Sequence, residues 1–148
     1  MDQTLEAKIR SILEEAKDMT IATIREDGFP QATTVTFVND GLKLYFGCEA
    51  DAQKAANIAR NSKVSIAVTP HYEDWSDIRG LSMGALAEPV TDAAEAQKVE
   101  QLMAGKYPQV VDILPEELDA MTLIRVTPKV ISVLDYSQGF GHTDLVTL

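Results

Sequence analysis

The residues best placed to do chemistry lie between Phe46 and Asn57. A strand-like run ends at Phe46, Gly47 and Cys48 follow, and a helix-forming stretch starts near Asp51 with Lys54 in its first turn. The first turn of a helix leaves backbone N–H groups unpaired, so a strand–loop–helix start with an early lysine can hold a phosphate. Taken alone the segment reads first as an ordinary surface lysine, and Glu49 and Asp51 oppose an anion unless they face away. Cys48 is the single cysteine, and those two acids would raise its pKa, which disfavours a nucleophilic role.

Other clusters promise less. His71, Glu73, Asp74 and Asp77 crowd one loop, but one histidine without regular spacing reads as a solvated acidic loop, and no metal site is expected. Trp75 in that loop stays open between a ring-stacking group, a dimer anchor and a lid over the core. Gly80-Leu81-Ser82-Met83-Gly84 matches a hydrolase nucleophile elbow, with His142 downstream. That motif needs a strand, a sharp turn and a helix, whereas Ala85-Leu86-Ala87 continue a strand. Gly139-Phe140-Gly141-His142-Thr143-Asp144 begins like a dinucleotide fingerprint but carries Asp144 where the third glycine belongs.

Composition narrows the classes further. The 148 residues, 45% of them hydrophobic, suit one domain over 1–148, with 136–148 as a C-terminal tail. Thirteen basic against 23 acidic side chains give a net charge of −10, which argues against nucleic acid and against an anionic membrane surface as partners. A lone cysteine excludes an intrachain disulfide, residues 1–6 lack a signal-peptide pattern, and no apolar run approaches a membrane span, so a cytoplasmic protein is expected. With two histidines and one cysteine, an enzyme of this composition leans on a bound cofactor.

The elements that must position Lys54 follow from periodicity. Leu5, Ile9, Ile12, Leu13 and Ala16 predict an opening amphipathic helix. Strands over 19–25, 31–38 and 42–46, turned at Asp27-Gly28 and Asn39-Asp40-Gly41, predict an antiparallel meander. A helix over 51–61, strands at 64–68 and 78–87, and a helix from Thr91 or Asp92 to about 104 follow; Asp92-Ala93-Ala94-Glu95 has capping-box spacing. A short helical piece near 115–120 and strands at 122–126 and 129–135 complete the pattern. Six or seven hairpin-connected strands with a few helices predict a mainly β, α+β chain built on a small antiparallel barrel.

The order of these features resembles the pyridoxamine 5′-phosphate oxidase-like family, the FMN-binding split barrels. The resemblance is carried by Asp27-Gly28-Phe29-Pro30-Gln31-Ala32-Thr33-Thr34-Val35, by Leu44-Tyr45-Phe46-Gly47, by Gln53-Lys54-Ala55-Ala56-Asn57-Ile58, and by Asn61-Ser62-Lys63-Val64-Ser65. It spans about residues 5 to 135, and the stretch from Leu134 to His142 is similar to the tail of one small bacterial subgroup. The resemblance implies a six- to seven-stranded antiparallel split β-barrel and a homodimer with FMN at the subunit interface. It implies that Thr33, Thr34, Val35 and Thr36 run beside the flavin, that Gly47 and Cys48 line the way to its phosphate, and that Lys54 binds that phosphate. Arg79 and Trp75 are implied as a second cation and a packing ring.

The chain departs from the full oxidases at three positions. Gln53 stands where those enzymes commonly place an arginine on the phosphate, and Thr33 and Val38 replace basic residues flanking the corresponding strand. Pyridoxamine phosphate oxidation is therefore not part of the expectation. The expected function is FMN-dependent oxidoreduction of an unidentified small molecule, with hydride passing through the flavin. A non-catalytic FMN-binding or storage module is the alternative, as is the same barrel holding haem, with His142 or His71 as axial ligand, or a deazaflavin, against which Gln53 counts.

Overall fold

The computed structural model describes residues 1–112, 117 and 119–148. Helix α1 (Gln3–Glu15) opens on the Asp2 carboxylate, which accepts hydrogen bonds from the Thr4 and Leu5 amides, and it buries Ile9, Ile12 and Leu13. Strands β1 (Asp18–Ile24), β2 (Pro30–Thr36), β3 (Val38–Asp40) and β4 (Lys43–Glu49) follow. Gly28 and Gly41, at φ 89° and 62°, make the turns that side-chain-bearing residues rarely adopt. Next come α2 (Gln53–Arg60), β5 (Lys63–Val68), β6 (Arg79–Pro89), α3 (Ala93–Lys106), β7 (Met121–Asp135) and β8 (Thr143–Thr147). The helical piece read near 115–120 lies largely outside the described residues.

All strand pairs are antiparallel, in the order β2-β1-β5-β6-β7-β4-β3. The two ends of this order, β2 and β3, are neighbours in the chain, separated only by Phe37. That connection forces the sheet to curl into a half-barrel, so the expected α+β split barrel is present. Among the described residues it has eight strands rather than six or seven. One expected strand over 31–38 is broken at Phe37, and two expected strands at 122–126 and 129–135 are one. Pro128, which falls between those two expected strands, sits in β7 opposite Ala85, next to an irregularity between Gly84 and Ala85. On its other side β4 pairs only as far as Val126 and β8 pairs only from Val130. A proline is tolerated there because no regular ladder needs its missing N–H. The segment Gly80 to Gly84 lies inside β6, so Ser82 is a strand residue and not an elbow.

Within the expected tail, β8 adds to β7 over Val130–Leu134. Gly139 and Gly141, both at positive φ, make the bend that returns it.

Alternating strand residues, among them Met19, Ile21, Leu44, Phe46, Ile66, Met83 and Ile131, join α1 in one core. On the outer side α3 packs Val99 against Val38, Tyr45 and Tyr107. The end of α3 clamps the closure point. The Tyr107 hydroxyl reaches the carbonyls of Lys17 (2.7 Å) and Phe37 (2.6 Å). The Lys106 ammonium donates to the carbonyls of Leu13 and Ala16 at the open end of α1 and lies 4.3 Å above the Phe37 ring.

Burial pushes the Tyr107 phenol up to about 12, and burial together with the Glu95 carboxylate does the same to Tyr45. Free tyrosine titrates near 10, so the unfolded chain surrenders these protons first. Their contribution to stability is fully present below about pH 10 and is lost as pH climbs toward 12. Denaturant midpoints should fall across that window. Tyr107→Phe should flatten the fall and lower neutral-pH stability by about 1 kcal/mol. An unchanged alkaline slope in this variant would contradict the clamp.

Candidate functional site

Helix α2 has eight residues, too few to hold itself together without tertiary anchors. Its N-cap residue, Ala52, offers no side-chain cap, and its first turn holds no acid. The amides of Ala55 and Ala56 turn back on the Ala52 carbonyl, which leaves those of Gln53 and Lys54 at the open end. Lys54 is half-buried and, among the described residues, makes no ion pair or hydrogen bond. Glu49 and Asp51 are both exposed.

The anchors are specific. Asn57 is fully buried, and its side-chain amide donates to the Thr23 hydroxyl (3.0 Å) and the Gln31 side-chain Oε1 (3.3 Å) while its Oδ1 accepts from the Gln53 side-chain amide (2.8 Å). Ile58 enters the core and Arg60 donates to the Ile24 carbonyl. The start of α2 is thereby tied to β1 and β2.

On β2 the pleat divides the four candidates. Thr33 and Val35 turn inward with Gln31, whereas Thr34 and Thr36 are exposed. Val35 packs on the core, and Thr36 makes a long contact to Asp18. The Thr33 hydroxyl oxygen is the one buried side-chain polar atom without a partner among the described residues. Such an orphan is costly unless something fills the place. Because β2 ends the sheet order, one row of its backbone groups has no neighbouring strand.

Gly47 and Cys48 point to opposite faces. The Cys48 thiol is in the core, and burial pushes its pKa up against the opposing pull of Lys54. Its side chain therefore lines no approach; only its backbone can. A Cβ on Gly47 would stand 3.3 Å from the Met121 methyl, so the glycine keeps a tight place open.

Trp75 and Arg79 lie elsewhere. Gly47 and Cys48 pair with Leu123 and Thr122 at the start of β7, while Arg79 pairs with Asp135 at its end. At the usual strand rise that separation is about 40 Å of chain contour. Arg79 is committed to α1, donating to Ser11 and Glu15. Trp75 is 68% exposed and stacks on Phe140 (6.4 Å between ring centres), which Tyr136 meets edge-on. An open cavity of about 450 Å³ at this end is lined by Arg79, His71, Tyr72, Asp77 and Asp135 among others. The rings of His71 and His142 each meet a carboxylate, Glu73 at 2.7 Å and Asp144 at 3.1 Å. Burial acts to raise the Asp135 pKa, but hydrogen bonds from Lys8 and Ser137 outweigh it and hold this carboxyl below the usual range. Among the described residues no group of three or more His, Cys, Asp or Glu could hold a metal, and no helix is long and apolar enough to cross a membrane.

The candidates thus fall into two sets at opposite ends of β7. The model of the family described as "Pyridoxamine 5'-phosphate oxidase" matches residues 5–135. The chain belongs to the pyridoxamine 5′-phosphate oxidase family. General stress protein 26 of Bacillus subtilis (strain 168) is 26% identical over 133 residues, covering 85% of this chain and 94% of that protein. A heme binding protein from Mycobacterium smegmatis shares the fold with a TM-score of 0.82 at 17% identity, over 99% of this chain and 59% of that one. HutZ, the heme storage protein from Vibrio cholerae, does so with a TM-score of 0.68 at 23% identity, over 84% and 90%.

Within this pyridoxamine 5′-phosphate oxidase fold, two residues make anchoring contacts beside Lys54 that sequence reasoning missed. Asn57 stands inside a family-like motif, and Gln31 beside it in space, but neither has a pattern in sequence that announces a buried amide network. The available signal was a polar residue on the apolar face of α2, next to Ile58.

Proposed function

We propose that this member of the pyridoxamine 5′-phosphate oxidase family binds FMN and works as an oxidoreductase on a small molecule. The observation carrying the proposal is Lys54: a cation with no ion pair or hydrogen bond among the described residues, at the uncapped, acid-free start of a helix that a buried anchor holds. The residues present fit the cofactor. Lys54 and the free α2 amides would hold the phosphate, and the orphaned Thr33 hydroxyl would gain a partner from the flavin. Thr34 and Thr36 would offer backbone groups along the free side of β2, while Val35, whose backbone faces β1, would border the site from the core side. Gln53, with its amide committed to Asn57, would border the phosphate without adding charge. Bound FMN supplies hydride-transfer chemistry, which this histidine-poor chain cannot provide from side chains alone.

The proposal includes a homodimer. Arg79 lies beside the opposite end of β7 from Gly47 and Cys48, with Trp75 nearby in sequence, so a second copy would bring them to a flavin held near Lys54. A haem-holding barrel is the second reading. It is favoured by the His71–Glu73 and His142–Asp144 pairs, since a carboxylate orients a ligating imidazole, and by the heme proteins that share this fold.

The test is the visible spectrum after mixing with FMN or with haem and removing free ligand, followed by stopped-flow mixing with NADH or NADPH. A retained flavin band that a nicotinamide bleaches is the expected result. A retained flavin that no reductant touches would favour a storage module. A Soret band with no flavin retention would move the assignment to haem.

A further inference from the structure

Asn57 and Lys54 sit three positions apart on a helix too short to be stable alone, and this has a consequence for any anion held there. We propose, resting on the FMN assignment above, that Asn57 is the positioning residue of the cofactor site. It acts through Lys54, locking the start of α2 against the wall that carries Thr33.

The geometry is direct. Asn57 lies over the cross-strand pair Thr23–Gln31 and donates to both of those side chains. The next pair along the inner face is Ile21–Thr33, which contains the orphaned hydroxyl. One turn back along α2, the Asn57 side-chain Oδ1 accepts from the side-chain amide of Gln53, the neighbour of Lys54. Both amide donors and the acceptor of a fully buried Asn are thus occupied, in a network that reaches the phosphate end on one side and β2 on the other. Buried networks with every member satisfied fix a single geometry, and losing one member leaves its partners unpaired. Truncating Asn57 therefore frees the first turn of α2, and Lys54 loses its orientation.

A residue that merely stabilised the fold would weaken FMN binding equally whether or not Lys54 is present. One that acts through Lys54 would not. The experiment is a double-mutant cycle of Asn57→Ala with Lys54→Met, read as the FMN dissociation constant by flavin fluorescence, with thermal unfolding of each apoprotein alongside. Asn57→Ala should weaken FMN binding about tenfold with Lys54 present and less than about twofold in the Lys54→Met background. Gln31→Met cuts only the tether to β2 and repeats the cycle if Asn57→Ala fails to fold; about a threefold loss confined to the Lys54 background is expected. Equal losses in both backgrounds, or no loss in either, overturn the positioning role while leaving the FMN assignment standing. Wild-type protein that binds no FMN overturns both.

Discussion

Lys54→Glu should abolish FMN retention while leaving the fold intact. The lysine makes no ion pair or hydrogen bond among the described residues, so the apoprotein loses almost nothing. Such surface substitutions stay within about 0.5 kcal/mol, or roughly 1–2 °C in Tm for a chain of this size. The effect on the ligand is far larger. A charge-assisted contact contributes about 1.5–3 kcal/mol, and reversing the charge adds repulsion against the dianionic phosphate. At 1.4 kcal/mol per decade the combined loss is at least about 100-fold in Kd. The molecule's net charge of −10 makes this local cation matter more, since nothing at long range draws an anion in. Calorimetric titration checks it. A variant that binds FMN as wild type does would remove Lys54 from the site.

The largest effect on stability is expected at Phe37. This residue is fully buried, it alone joins the two ends of the sheet order, and both the Tyr107 hydroxyl and the Lys106 ammonium converge on it. Phe37→Ala removes a large side chain from a place its neighbours cannot easily fill, at a cost of about 3–5 kcal/mol. Against a total of about 5–15 kcal/mol that is a large fraction, on the order of 10 °C in Tm. Urea unfolding measures it. A loss below about 1 kcal/mol would show that the barrel does not depend on its clamp. Because β2 carries Thr33, flavin affinity should fall with it.

The sequence made the local elements legible wherever one physical rule dominated. The spacing of Leu5, Ile9 and Ile12 gave α1, Gly28 and Gly41 gave the hairpins, and Asp92 caps α3 by accepting from the Glu95 amide. Glu95 does not return the bond as a capping box would; its carboxylate holds Tyr45 and Arg125 instead. The misses arose where tertiary context overrode local signals. Phe37 looks like the middle of a strand, and only the curl of the whole sheet breaks the chain there. Pro128 looks like a break, and only the gap between β4 and β8 spares it. Thr143–Thr147 is a short run past two glycines, and it becomes a strand because β7 is long enough to accept it. In the site, Lys54 was legible from its place after Gly47. The inward turn of Cys48, the commitment of Arg79 to Glu15 and the anchoring by Asn57 depend on strand register and helix packing, which spacing alone does not encode.

The most direct measurement compares FMN with riboflavin, which differ only in the phosphate, by fluorescence titration of the wild-type protein. If Lys54 and the open start of α2 hold that phosphate, FMN binds at least about tenfold tighter, and the difference disappears in Lys54→Met. Equal affinity for the two flavins in wild-type protein, or no binding of either, would contradict the assignment.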